Sequence, residues 1–120
     1  MDLARKLQIK PGTLVSVVAA PADGPDLSAD GGLQLTDSPA EAGAVIAFAR
    51  QRADLAAAGP AIEAAREDRL AWIAYPKAGQ LGTDLNRDSL AAAVIGLGGL
   101  RPVRQVAINE VWSALRFRPG

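Results

Sequence analysis

Leu70 to Tyr75 reads Leu-Ala-Trp-Ile-Ala-Tyr, without a charged residue, and two earlier runs share that character, Thr13 to Ala20 and Ala44 to Ala49. None alternates apolar with polar residues, so each fits a strand covered on both faces rather than one with a wet side. Strands of that kind need helices to cover the sheet. Gln51 to Asp68 supplies one between the second and third runs, with Leu55, Ala58, Ile62 and Ala65 at helical spacing. A strand, a helix and a strand in that order imply right-handed crossovers and parallel neighbours.

The remaining elements follow from local signals. Asp2 to Ile9 reads as a short helix that ends at Pro11-Gly12. Ala22 to Gly32, rich in Asp, Gly, Pro and Ser, reads as an irregular loop, and Leu33 to Thr36 as a short strand near an edge. Ser38-Pro39-Ala40-Glu41 has the form of a capping box and predicts a helical turn. Gly59-Pro60 interrupts the 51–68 helix, because proline lacks the amide the next turn requires; a kink or two short helices is expected. Pro76 stops the third apolar run. After Lys77 and a glycine-punctuated loop, Asn86 caps a helix over 86–97 with Asp88 in its first turn, and Gly98-Gly99 closes it. Val103 to Ile108 and Val111 to Phe117 are strands whose connection is short enough to force an antiparallel hairpin. The expected fold class is α/β: one domain over 1–120 with a mostly parallel sheet of about six strands, a reversed C-terminal strand and three helices.

Composition narrows the chemistry. The chain has no Cys and no His, so it holds no disulfide, thiol nucleophile or thiolate zinc site and lacks the usual general base near neutral pH. Its formal net charge is zero with no long basic run, which argues against nucleic acid as a partner. No apolar stretch is long enough to span a membrane and the first residues are charged, so a cytoplasmic protein is expected. The charges are nevertheless segregated. Asp23, Asp26, Asp30, Asp37 and Glu41 fall between Pro21 and Gly43 with no basic residue, whereas Arg101, Arg104, Arg116 and Arg118 stand near the C-terminus against Glu110 alone.

Ligands of parallel α/β sheets sit just outside the carboxyl ends of the strands. That edge should gather Arg50, Tyr75, Lys77, Glu110 and Trp112 beside Thr83 and Asp84, a set able to clamp a small anionic or nucleotide-like ligand. The competing reading makes Lys77 and Asp84 a solvated brace with Trp112 filling the space beneath. Asp37 follows the second strand but reads as a helix-start residue, and Gly96 to Gly99 lies at the wrong end of a helix to cradle phosphate. No metal site and no cofactor is implied.

Two resemblances accompany these readings. The succession KPGTLVSVVAA, AVIAFA, kinked helix, LAWIAYPK, helix and final hairpin resembles the Rossmann-like class I S-adenosylmethionine-dependent methyltransferases, whose sheet also ends with a reversed strand. The chain departs from that family where a glycine-rich turn should follow the first strand, reading Pro21-Ala22-Asp23-Gly24-Pro25, and it is too short for all the helices. More closely, it is similar to short bacterial methyltransferase-like proteins of unknown function. The residues that match are Leu3-Ala4-Arg5-Lys6-Leu7 with Lys10-Pro11-Gly12, Tyr75-Pro76-Lys77, Thr83-Asp84-Leu85 and Trp112-Ser113-Ala114-Leu115 with Phe117. The implied function is a non-catalytic binding or regulatory module on a reduced methyltransferase-like fold. An oligomeric protein-interaction module and a small transferase are the alternatives. Because both crossover helices should cover one face of the sheet, the other face is expected to be bare enough to form a homodimer.

Overall fold

The three apolar runs become neighbouring strands of one sheet in a computed structural model, which describes residues 3–22, 24–25, 27 and 33–120. The strands are β1 (Leu14–Val18), β2 (Gln34–Leu35), β3 (Ala44–Phe48), β4 (Leu70–Pro76), β5 (Leu100–Ala107) and β6 (Trp112–Pro119). Their spatial order is β2-β1-β3-β4-β6-β5. The first three neighbouring pairs are parallel and the last two antiparallel. The sheet is therefore mixed, a correction to the mostly parallel arrangement expected. The cause lies in β6, which inserts between β4 and β5 instead of adding to the edge, so one reversed strand makes two antiparallel pairings.

Insertion suits the side chains. Leu115 and Phe117 of β6 are buried with the core on one face, and Trp112 and Ala114 with the core on the other, so β6 belongs inside the sheet. On β5, Arg101, Val103, Arg104 and Gln105 are all exposed, which suits an edge. Pro102 lies on that edge next to a register shift between Pro102 and Arg104, where a missing amide does no harm. Gly98 and Gly99 turn the chain into β5 with φ of +88° and +80°, so the strand starts at Leu100, earlier than expected.

Helix α1 (Leu3–Lys6) is followed by a 3₁₀ helix (Arg52–Ala58), α2 (Gly59–Arg66) and α3 (Arg87–Ile95). The 51–68 segment divides at Gly59-Pro60 as expected, with Pro60 in the first turn of α2. Ser38 to Glu41 forms only a turn, closed by Glu41 N–H donating to the Ser38 carbonyl at 3.2 Å. The Gly43 amide already bonds to the Leu14 carbonyl at 2.9 Å, which leaves no room for a helix before β3.

Helices α2 and α3 pack against the same face, on Val45, Ala71, Ile73, Tyr75, Leu115 and Phe117. The opposite face is covered by Leu3, Leu7 and Ile9 of the N-terminal segment, with Leu27 also buried against it. Trp72, fully buried there, donates its indole N–H to the Leu7 carbonyl at 2.9 Å and ties that segment to β4. The face expected to be bare is therefore substantially clothed, although Val17, Val106, Ile108 and Val111 remain only partly buried around it. Of the acidic 22–32 loop, Asp23, Asp26 and Ser28 to Gly32 lie outside the described residues, as does Asp2. Among the described residues, no helix is long and apolar enough to cross a membrane.

Candidate functional site

The chain leaves β1 for β2 on one side and returns to β3 on the other, so the strand order reverses between β1 and β3. Beyond the carboxyl ends of these two strands lies a cavity of about 210 Å³, lined by Ala19, Pro21, Phe48, Arg50, Asp54, Ala57 and Trp112. This is the crevice where open α/β sheets hold ligands. Phe48 and Trp112 meet edge to face, with centroids 5.2 Å apart and planes at 74°, which matches the quadrupoles of the two rings. Ala19 has a left-handed backbone with φ of +57°, a conformation costly for a residue with a Cβ, at the point where β1 opens into the loop.

The wall carrying Arg50 is held from two directions. Asp54 Oδ2 accepts the Arg50 and Gln51 amides at 3.0 and 3.2 Å, so the start of the 3₁₀ helix folds back on the end of β3. From the loop before α3, Thr83 donates its hydroxyl to the Arg50 carbonyl and accepts the Leu85 amide at 3.0 Å, while Asp84 Oδ1 accepts the Arg52 amide at 2.8 Å. Thr83 and Asp84 therefore brace the cavity wall through backbone. Asp84 forms no ion pair with Lys77 among the described residues.

A second concavity of about 440 Å³ opens on the helix side of the sheet, lined by Tyr75, Lys77, Ala78, Asn86, Arg87, Asp88, Gln105 and Ser113. Gln105 Nε2 donates to the Tyr75 hydroxyl oxygen at 2.7 Å. Burial pushes the Tyr75 phenol above its ordinary value, against smaller opposing influences of the Gln105 hydrogen bond and Arg87, with Asp88 adding to the rise. Asn86 caps α3 by accepting the Ser89 amide at 2.8 Å.

The expected edge set thus separates. Arg50 and Trp112 line the first cavity, Tyr75 and Lys77 line the second, and Thr83 and Asp84 stand behind the Arg50 wall. Glu110 is exposed in the β5–β6 turn. Its neighbour Asn109 shapes that turn, accepting the Val111 and Trp112 amides at 2.8 Å each. Asp37 is exposed in the turn after β2. Compared with models of known protein families the chain matches none, and no curated protein is significantly similar to it.

Sequence reasoning missed Phe48, Asp54, Gln105 and Ser113. Phe48 is hidden in an apolar run whose outward end is not marked. Asp54 did carry a signal, lying three residues after Gln51 where a side chain can reach back over a helix start. Gln105 and Ser113 sit on different strands of the hairpin, and only strand order brings them beside Tyr75. Among the described residues, no group of acidic side chains could hold a metal ion.

Proposed function

We propose that this protein is a non-catalytic binding module on a reduced, Rossmann-like and methyltransferase-like sheet, holding a small anionic or nucleotide-like ligand at the carboxyl ends of its parallel strands. The observation that carries this reading is the cavity at the reversal of strand order, where Arg50 and the Phe48–Trp112 pair share one wall system. A guanidinium suits a carboxylate or phosphate, and ring edges suit a planar group. The volume of about 210 Å³ lies below the roughly 300–1,000 Å³ of ordinary ligand pockets, so a compact acid or a single ring fits better than a dinucleotide. The non-catalytic part of the reading is supported by Asp54, the carboxylate in this wall, which is engaged by two backbone amides and serves as a brace.

Trp112 makes the test direct, because Trp72 is sealed under the N-terminal segment on the Leu7 carbonyl. Benzoate, a single ring carrying one carboxylate, titrated into the protein should change Trp112 fluorescence with a Kd below about 1 mM, roughly −4 kcal/mol. Arg50→Ala should weaken that binding about tenfold or more. No fluorescence change at several millimolar, together with no ligand retained in native mass spectrometry of the purified protein, would remove the reading.

A further inference from the structure

We infer that the concavity between β4, β5, β6 and the start of α3 is a second binding site, specific for a phosphate monoester. It is chemically separate from the cavity at Arg50, sharing none of its lining residues. The inference does not depend on ligand binding there.

Four donors line this concavity. Lys77 and Arg87 supply two cations. Ser113 is 4% exposed and its hydroxyl makes no hydrogen bond among the described residues, although its side chain lines the space. The hydroxyl is not a desolvated orphan, since among the described residues the buried side-chain atom left without a partner is Arg116 Nε; the Ser113 hydroxyl opens on the cavity, where it can donate to a ligand or solvent atom. Tyr75 is 1% exposed, and its oxygen already accepts from Gln105 Nε2, so its own proton is left to donate elsewhere. The phenol, with its ionisation pushed upward by burial, keeps that proton at neutral pH. Asn86, capping the nine-residue α3, places the positive end of the helix dipole on the same rim.

The one acid in the lining, Asp88, is paired with Arg87 at 3.3 Å on the exposed rim. Two cations against one acid leave a net positive charge. Three-fold or four-fold donation from cations and hydroxyls suits the several acceptor oxygens of a phosphate better than the two of a carboxylate. The volume of about 440 Å³ exceeds what a bare oxyanion needs and falls in the range of small-molecule pockets, which points to a phosphate carried on a small organic body.

The test is an amide-resolved NMR titration of the whole chain with glycerol phosphate, inorganic phosphate and succinate in parallel. Glycerol phosphate should shift the amides of Ser113, Gln105 and Asn86 with saturation below about 1 mM. Inorganic phosphate should shift the same amides more weakly, and succinate at least tenfold more weakly. Lys77→Gln, at a half-buried loop position, should weaken glycerol phosphate binding about tenfold or more. Tyr75→Phe should weaken it several-fold while Lys77→Gln leaves the fold intact by circular dichroism. Three outcomes would overturn the inference: no shift of these amides at 10 mM, succinate binding as well as glycerol phosphate, or unchanged affinity in Lys77→Gln. Shifts confined to Ala19, Arg50 and Trp112 would count against it while supporting ligand binding at the other cavity.

Discussion

Trp72→Phe tests how the N-terminal segment is held on the sheet. The indole is fully buried in the middle of β4 and its N–H is the donor to the buried Leu7 carbonyl, 2.9 Å away. Phenylalanine retains a ring but has no donor, so the Leu7 carbonyl loses its partner in a place water does not reach, costing about 1–3 kcal/mol. The smaller ring also leaves incompletely filled space beneath Leu7 and Ala74, adding about 1–2 kcal/mol as in other core truncations. Together the loss should be about 2–5 kcal/mol, a fall in Tm of roughly 8–20 °C for a domain of this size. Urea unfolding followed by circular dichroism checks it, since Trp112 remains as a separate fluorescent reporter. Trypsin offers a second measurement, because Arg5, Lys6 and Lys10 flank the tied residue. Cleavage there should accelerate about tenfold or more if the bond governs local opening. A loss under about 1 kcal/mol with unchanged cleavage would show that Leu3, Leu7 and Ile9 hold the segment by packing alone.

Alkaline unfolding of the protein should be blunted in Tyr75→Phe. An unfolded tyrosine releases its proton near pH 10 and the buried Tyr75 only above that, so between these values the unfolded state binds fewer protons and stability falls as pH rises; a parallel pH profile for the variant would contradict the assignment. Arg104→Thr should stabilise the hairpin by about 0.2–1 kcal/mol at low salt, and less at high salt, because Arg104 lies directly across from Arg116 and Arg101 across from Arg118. Burial, then Arg118 and Arg104, lower the Arg116 ionisation, so a variant no more stable than the parent would mean that the Asp68–Arg118 pair already offsets the repulsion. S-adenosylmethionine should bind no more tightly than about 100 μM, roughly −5.5 kcal/mol, since Pro21-Ala22-Asp23-Gly24-Pro25 offers no glycine-rich turn for close backbone approach; micromolar affinity by calorimetry would favour the transferase reading.

Much of the local architecture was legible in residue chemistry. The three apolar runs became β1, β3 and β4, adjacent and parallel. Gly59-Pro60 separated a 3₁₀ helix from α2, and Asn86 capped α3, because proline and the capping side chain act on backbone within a few residues. The short connection before Val111 fixed the β5–β6 hairpin as antiparallel by simple reach. Strand order was different. Backbone hydrogen bonds do not depend on side-chain identity, so β6 could pair with β4 or lie outside β5 until both faces of Trp112 to Phe117 found apolar cover. That choice turned a parallel-looking pattern into a mixed sheet. It also decided the candidate sites, setting Trp112 against Phe48 and placing Gln105 and Ser113 beside Tyr75. Sequence alone marked Arg50, Tyr75, Lys77 and Trp112 for the carboxyl edge, but not Phe48, Asp54, Gln105 or Ser113 beside them. Only tertiary packing divided them into two cavities, because contacts between residues far apart in the chain depend on which strands become neighbours.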